Sequence, residues 1–315
     1  MPIFFKKKYP YLIAEVGGNH AGSLSIAKSA IINAKKSGAD CIKFQWYKAE
    51  TIVHPSMKVM THIKKKKERT QYQRFKKLEL NEKKIFDLYK LSKQANIDFA
   101  VTPFDTSFIK FLSKYVTFFK IASGDIDYIP LLEEVAKYNK PVVLSTGMSD
   151  INRIKIATKI LDQNKLILLH CISSYPTKES EANLNSIRYL QDKFNLEVGL
   201  SDHTSGFTSA VMSLSFGVRI IEKHFLPNNK IKNVGDYKLS LNPQRFNKFR
   251  ELINNSYSGL GKYEKKIFKS EKKFIKPLRR SLYFKDNFSK GHKIKKSDIC
   301  FIRPYNSNAL SPENY

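Results

Sequence analysis

Cysteine, acid and long apolar runs are what this chain has little of. Cys41, Cys171 and Cys300 are the only three cysteines in 315 residues. Their spacing matches neither a disulfide framework nor a zinc knuckle, which excludes a stapled secreted module and predicts reduced, structural thiols. No apolar run approaches the roughly 18 residues of a membrane helix. Lys6, Lys7 and Lys8 interrupt Phe4 and Phe5 before a signal-peptide core can form, so a cytoplasmic location is expected. VGGNHAG (16–22) lacks the glycine spacing of a dinucleotide-binding turn. Acid is scarce: 28 carboxylates face 56 lysines and arginines, a net charge of +28. Such an excess raises nucleic acid or an anionic surface as a partner. The lysines, however, are spread over the polar faces of helices, their one dense run is Lys64 to Lys67, and no nucleic-acid motif accompanies them. A lysine-biased background or the steering of an anionic substrate accounts for the charge with less machinery.

What is present is a repeat. β-Rich runs at 11–17, 41–45, 98–103, 118–123, 141–147, 166–171, 197–202 and 219–224 alternate with amphipathic stretches. Ile26, Ala30, Ile31 and Ala34 recur at helical spacing, helices are expected near 23–37, 81–95 and 206–216, and Pro243 opens the last one. A long basic loop follows the second strand. Eight consecutive βα units predict a TIM (β/α)8 barrel over residues 1–260. Residues 261–278 read as a basic linker, and 279–315, with strand-like RRSLYF and DICFIRP, as a short β-rich unit too small for an independent core.

Barrel enzymes place chemistry at the C-terminal strand ends, and here those ends are polar. They carry Glu15 with Asn19 and His20, Lys43 and Gln45, Thr102, Lys120 with Ser123 and Asp125, Ser145, Ser173 with Tyr175, Ser201 to His203, and His224. His203 and His224 stand 21 positions apart, one strand-to-strand repeat. Neighbouring parallel strands lie about 4.8 Å apart, so two imidazoles leaving the same end can share one divalent metal; the plainer reading is two unrelated core histidines. Lys43 and Lys120 beside hydroxyls suit a small substrate bearing phosphate and carboxylate. The alternative is a Schiff base on either lysine, but two lysines together with two metal-competent histidines favour anion binding plus a Lewis acid.

AEVGGNHAG (14–22), IKFQ (42–45), TPFD (102–105), KIASGD (120–125), LSTGM (144–148), SSYPT (173–177), GLSDHTSG (199–206) and IEKHF (221–225) together resemble the sialic acid synthase family. The tail resembles the start of that family's antifreeze-like domain. The resemblance implies condensation of phosphoenolpyruvate with an open-chain N-acyl hexosamine to give a nonulosonic acid and phosphate. It implies a divalent metal on His203 and His224, manganese first and magnesium or cobalt as alternatives. Phosphoenolpyruvate would lie on Lys43, Thr102, Lys120, Ser123, Ser145 and Ser201, and Gln45, Tyr175 and Asp236 would bind the sugar. Glu15 would handle protons or the attacking water, its simpler role being a salt-bridge partner that orients Lys43. His20 reads as a loop-ordering residue and His170 as a satisfied strand-end histidine. Arg303 matches an arginine delivered from a partner subunit, which implies a homodimer. Departures from the family's pattern fall at Asp125, at Ser173, at Tyr237 in the run Gly235 to Lys238, and at Tyr305. The chain stops about halfway through the antifreeze-like pattern, so an incomplete module is expected. The competing readings are a 3-deoxy keto-acid phosphate synthase and a non-catalytic basic surface-binding protein.

Overall fold

Alternation along eight short strands builds the molecule's centre. In the computed structural model, which describes residues 3–59, 70–162, 165–228, 231 and 236–315, β1 (Tyr11–Glu15), β2 (Cys41–Trp46), β3 (Asp98–Pro103), β4 (Phe119–Ile121), β5 (Val142–Ser145), β6 (Leu166–Cys171), β7 (Val198–Asp202) and β8 (Ile220–His224) close a parallel barrel in sequence order. β1 pairs with β2 and β8, so Glu15 stands in register with both Lys43 and His224. This is the predicted TIM barrel. The basic run Lys64 to Lys67 and Gly235 lie outside the described residues.

Because strand side chains alternate, each strand feeds two layers. Leu12, Ala14, Ile42, Phe44, Val101, Leu144 and Leu168 point outward and pack against the surrounding helices in one large core. Tyr11, Ile13, Cys41, Ala100, Val143, Ile167, Leu169 and Ile220 point inward and form a second cluster, joined by Phe4 and Phe118. The helices are started by their own sequence signals. Ser23 caps Leu24–Lys36, Asn81 caps Glu82–Gln94 and Asp150 caps Ile151–Ile160, each side chain accepting from a first-turn backbone N–H. The long basic loop after β2 contains two helices, Ala49–Ile52 and Gln71–Leu78. The second opens on a reciprocal Thr70–Gln73 capping box.

The chain divides into two units, 1–260 and 261–315. The second holds an antiparallel pair, β9 (Ser281–Phe284) with β10 (Ile299–Ile302). Residues 261–278, expected as a linker, include the helix Lys269–Leu278, whose Lys276 carbonyl accepts from Tyr305 N at 2.7 Å. Among the described residues no helix is long and apolar enough to cross a membrane.

Candidate active site

The inward positions change character one pleat above the apolar cluster. At the C-terminal ends of the strands they become Glu15, Lys43, Gln45, Thr102, Lys120, Ser145, Ser201, Glu222 and His224, and nearly all are buried. Buried charge is costly unless paired and hydrogen-bonded, and here it is both. The Lys43 ammonium pairs with Glu15 and lies 3.6 Å from Glu222 Oε2. Lys120 Nζ lies 3.7 Å from Glu222 Oε1. Lys43 donates to Thr102 Oγ1 at 2.9 Å, Lys120 to Ser145 Oγ at 2.7 Å and Ser201 Oγ to Glu222 Oε1 at 3.0 Å. Gln45 Nε2 donates to Glu15 Oε1 at 3.0 Å. Two cations and two anions from four strands thus share one dry centre, ringed by hydroxyls.

The two carboxylates are pushed apart in proton affinity. Burial raises Glu15, with Lys43 opposing and Glu222 adding to the rise. Against the cost of its own burial, Glu222 is held down to about 2 by Lys120 and Lys43. Two carboxylates driven in opposite directions are the pattern that separates a fixed anion from a group able to exchange a proton. Glu15 also makes the salt bridge to Lys43 that its simpler reading expects. Glu222 is absent from the sequence-based set. Its signal was its parity, since 220, 222 and 224 share the inward face of β8.

His224 ends β8, whereas His203 lies one residue past β7. Their ring centroids are 5.3 Å apart. His203 Nδ1 lies 2.9 Å from the carbonyl oxygen of Ile172, so it donates there and leaves Nε2 as the free lone pair. His224 Nδ1 is buried without a hydrogen-bond partner, 3.6 Å from Asp236 Oδ2. Burial lowers His224 to about 4, keeping it neutral. Gly17, at φ +49°, leaves open the space beside it: a Cβ there would lie 3.2 Å from Asp236 Oδ2, 3.4 Å from Glu15 Oε1 and 3.6 Å from His224 Cε1. Against the effect of its burial, Cys171 and the Ile172 carbonyl raise His203; with Nδ1 engaged there and His224 held neutral, the two rings would together hold a divalent metal. Among the described residues no third His, Cys, Asp or Glu completes a protein-only metal cage.

The remaining predicted residues divide. Tyr175 lies over His203 with centroids 4.4 Å apart and meets His224 edge-on at 6.1 Å. Ser123 Oγ accepts from Gly147 N at 3.1 Å. A Cβ on Gly147 would stand 2.3 Å from Ser173 Oγ and 2.9 Å from Ser123 Oγ, so only glycine lets these hydroxyls close in. His20 Nδ1 accepts from Gly22 N at 3.1 Å and orders its loop, and His170 Nε2 lies 2.8 Å from Ala182 O. Arg303 follows β10 in the separate 261–315 unit, where it is exposed.

Fold and mouth together define a barrel enzyme built around a buried, mixed-charge centre with two histidines beside it. The chain belongs to the NeuB family, whose model matches residues 30–265, the family of the sialic acid synthases: phosphoenolpyruvate-dependent transferases that form a C–C bond. It is 36% identical over 316 residues to the N,N'-diacetyllegionaminic acid synthase of Campylobacter jejuni, covering 98% of this chain and 94% of that one. An uncharacterized protein of Methanocaldococcus jannaschii is 43% identical, covering 93% and 85%. The crystal structure of the N-acetylneuraminic acid synthetase of Leptospira borgpetersenii superposes with a TM-score of 0.75 at 32% identity, covering 85% and 90%. The reading as a non-catalytic basic surface protein falls with this membership.

Proposed function

We propose that the enzyme condenses phosphoenolpyruvate with the open-chain form of an acetamido sugar, releasing phosphate and a nine-carbon α-keto acid. The observation that carries this is the buried centre of Lys43, Lys120, Glu15 and Glu222 immediately beside His203 and His224. Lys43 and Lys120 neutralise the phosphate and carboxylate, and Thr102, Ser123, Ser145 and Ser201 supply neutral donors. The C2–C3 π pair of the enol attacks the aldehyde carbon from C3, the carbonyl π pair moves to its oxygen, which takes a proton from Glu15 to become a hydroxyl, and a cationic centre is left at C2. Water adds to C2, giving its proton to Glu15, and the resulting intermediate expels phosphate by C–O cleavage. His203 and His224 would hold a divalent metal, manganese in our reading, which would supply Lewis-acid polarisation of the aldehyde when bound. Tyr175, tilted over His203, walls the sugar side, with Gln45 and Asp236 at the sugar's hydroxyls. Arg303 of a second copy completes the site in a homodimer.

The relatives favour a 2,4-diacetamido hexose, with N-acetylmannosamine as the comparison substrate. Phosphate release should require metal, phosphoenolpyruvate and one of these acceptors together, with a nonulosonic acid detected by mass spectrometry. A metal-loaded, folded enzyme that turns over erythrose 4-phosphate or arabinose 5-phosphate and neither acetamido sugar would overturn the proposal.

A further inference from the structure

One buried ion pair lies outside the chemistry described above. Lys223 sits between Glu222 and His224 on β8 and points out of the barrel, into the layer that Leu12, Ala14 and Leu144 fill with hydrocarbon. It is 1% exposed. Its Nζ donates to Asp202 Oδ2 at 2.7 Å and to the carbonyl of Thr204 at 2.5 Å. Asp202 Oδ1 in turn accepts from Thr204 N at 2.9 Å and Thr204 Oγ1 at 2.8 Å. The residues immediately before and after His203 are therefore both held by the residue immediately before His224.

This arrangement addresses a weakness of the site. His224 is the last residue of β8, in register with Glu15, and its carbonyl accepts from Leu241 N at 2.8 Å. His203 has left the barrel ladder, and what fixes it is the turn from Asp202 to Thr204. Its own carbonyl accepts from Thr177 N at 2.9 Å, its ring is oriented by Ile172 O, and Thr177 pairs with Thr204. Replacing a buried ion pair by well-packed apolar groups is often neutral or stabilising, so global stability does not explain a charged pair here. We propose that Lys223 and Asp202 are positioning residues that fix the separation and orientation of His203 relative to His224, and so set the affinity of the metal site. This rests on the metal reading above.

The test is Mn2+ affinity by calorimetry and the Mn2+ electron paramagnetic resonance spectrum, alongside thermal melting and steady-state kinetics. Lys223→Met/Asp202→Leu removes both charges, which protects folding, and Thr204→Val removes a single hydroxyl without stranding a charge. The double variant should bind Mn2+ about 10- to 100-fold more weakly, the range typical of groups that orient metal ligands, with an altered spectrum, lower kcat and an unchanged KM for phosphoenolpyruvate. Thr204→Val should show the same changes at smaller size. If wild type binds Mn2+ and either folded variant binds it with the same Kd and spectrum, the clamp is wrong and the metal reading stands. If wild type binds no Mn2+, both fall.

Discussion

The inside of the barrel is two regions built from the same strands one pleat apart. The lower region, Tyr11, Ile13, Ala100, Phe118, Val143 and Ile220, is hydrocarbon closed by Phe4. The upper region spends the same inward positions on Glu15, Lys43, Lys120, Glu222 and His224, and leaves Glu222 Oε2 and His224 Nδ1 without hydrogen-bond partners. An interior of equal depth serves stability below and chemistry above. The lower layer has its partners within the chain, whereas the upper layer keeps buried polar atoms that no described residue satisfies.

The sharpest way to break this contrast is at the histidines. His203→Ala and His224→Ala should each lower kcat more than about a thousandfold, equivalent to roughly 4 kcal/mol in the barrier, while circular dichroism and melting temperature stay close to wild type. Activity retained within tenfold would return the pair to the role of core histidines. The lower layer should behave in the opposite way. Phe118 is fully buried and meets Phe4 edge-on at 5.1 Å, so Phe118→Ala should cost about 3–5 kcal/mol of unfolding free energy by denaturant titration. At temperatures where the variant is folded, its Mn2+ affinity should be unchanged. A loss of metal affinity matching the loss of stability would show that the two regions are one cooperative unit.

The fold was readable because each strand carries its alternation in plain form, and the mouth because the polar residues cluster at strand ends. What escaped has physical reasons. Glu222 lies inside the run RIIEKH, where reading only the last residue hid it, although the inward parity of Ile220 and His224 marks it. Lys223 was illegible because its partner, Asp202, is supplied by the neighbouring strand, and an outward lysine on a barrel strand has no local signature. The helix Gln71–Leu78 lies within the stretch that reads as a basic loop, where its short amphipathic run carries little signal, though Thr70 and Gln73 spell out its capping box. Arg303 shows the other limit: sequence similarity proposes a role for it, and a single chain, in which it is exposed on the 261–315 unit, does not test that role.

Asp125 tests the contrast at its margin, with the smallest effect. It follows β4 at the mouth, its Oδ2 is buried with no hydrogen-bond partner, and burial, with Asp127 adding, raises it to about 6. The folded state therefore holds a proton between about pH 4 and pH 6 that the unfolded chain has already released. Stability contributed by this group is present at the low end of that window and is lost as pH rises through 6, a cost on the order of 3 kcal/mol at pH 7.5. Asp125→Asn keeps the shape and removes the ionisation. Its melting temperature should exceed wild type at pH 7.5 and converge with it near pH 4.5. An equal gain at both values would mean that packing, and not a charge confined at the mouth, is what the substitution relieves.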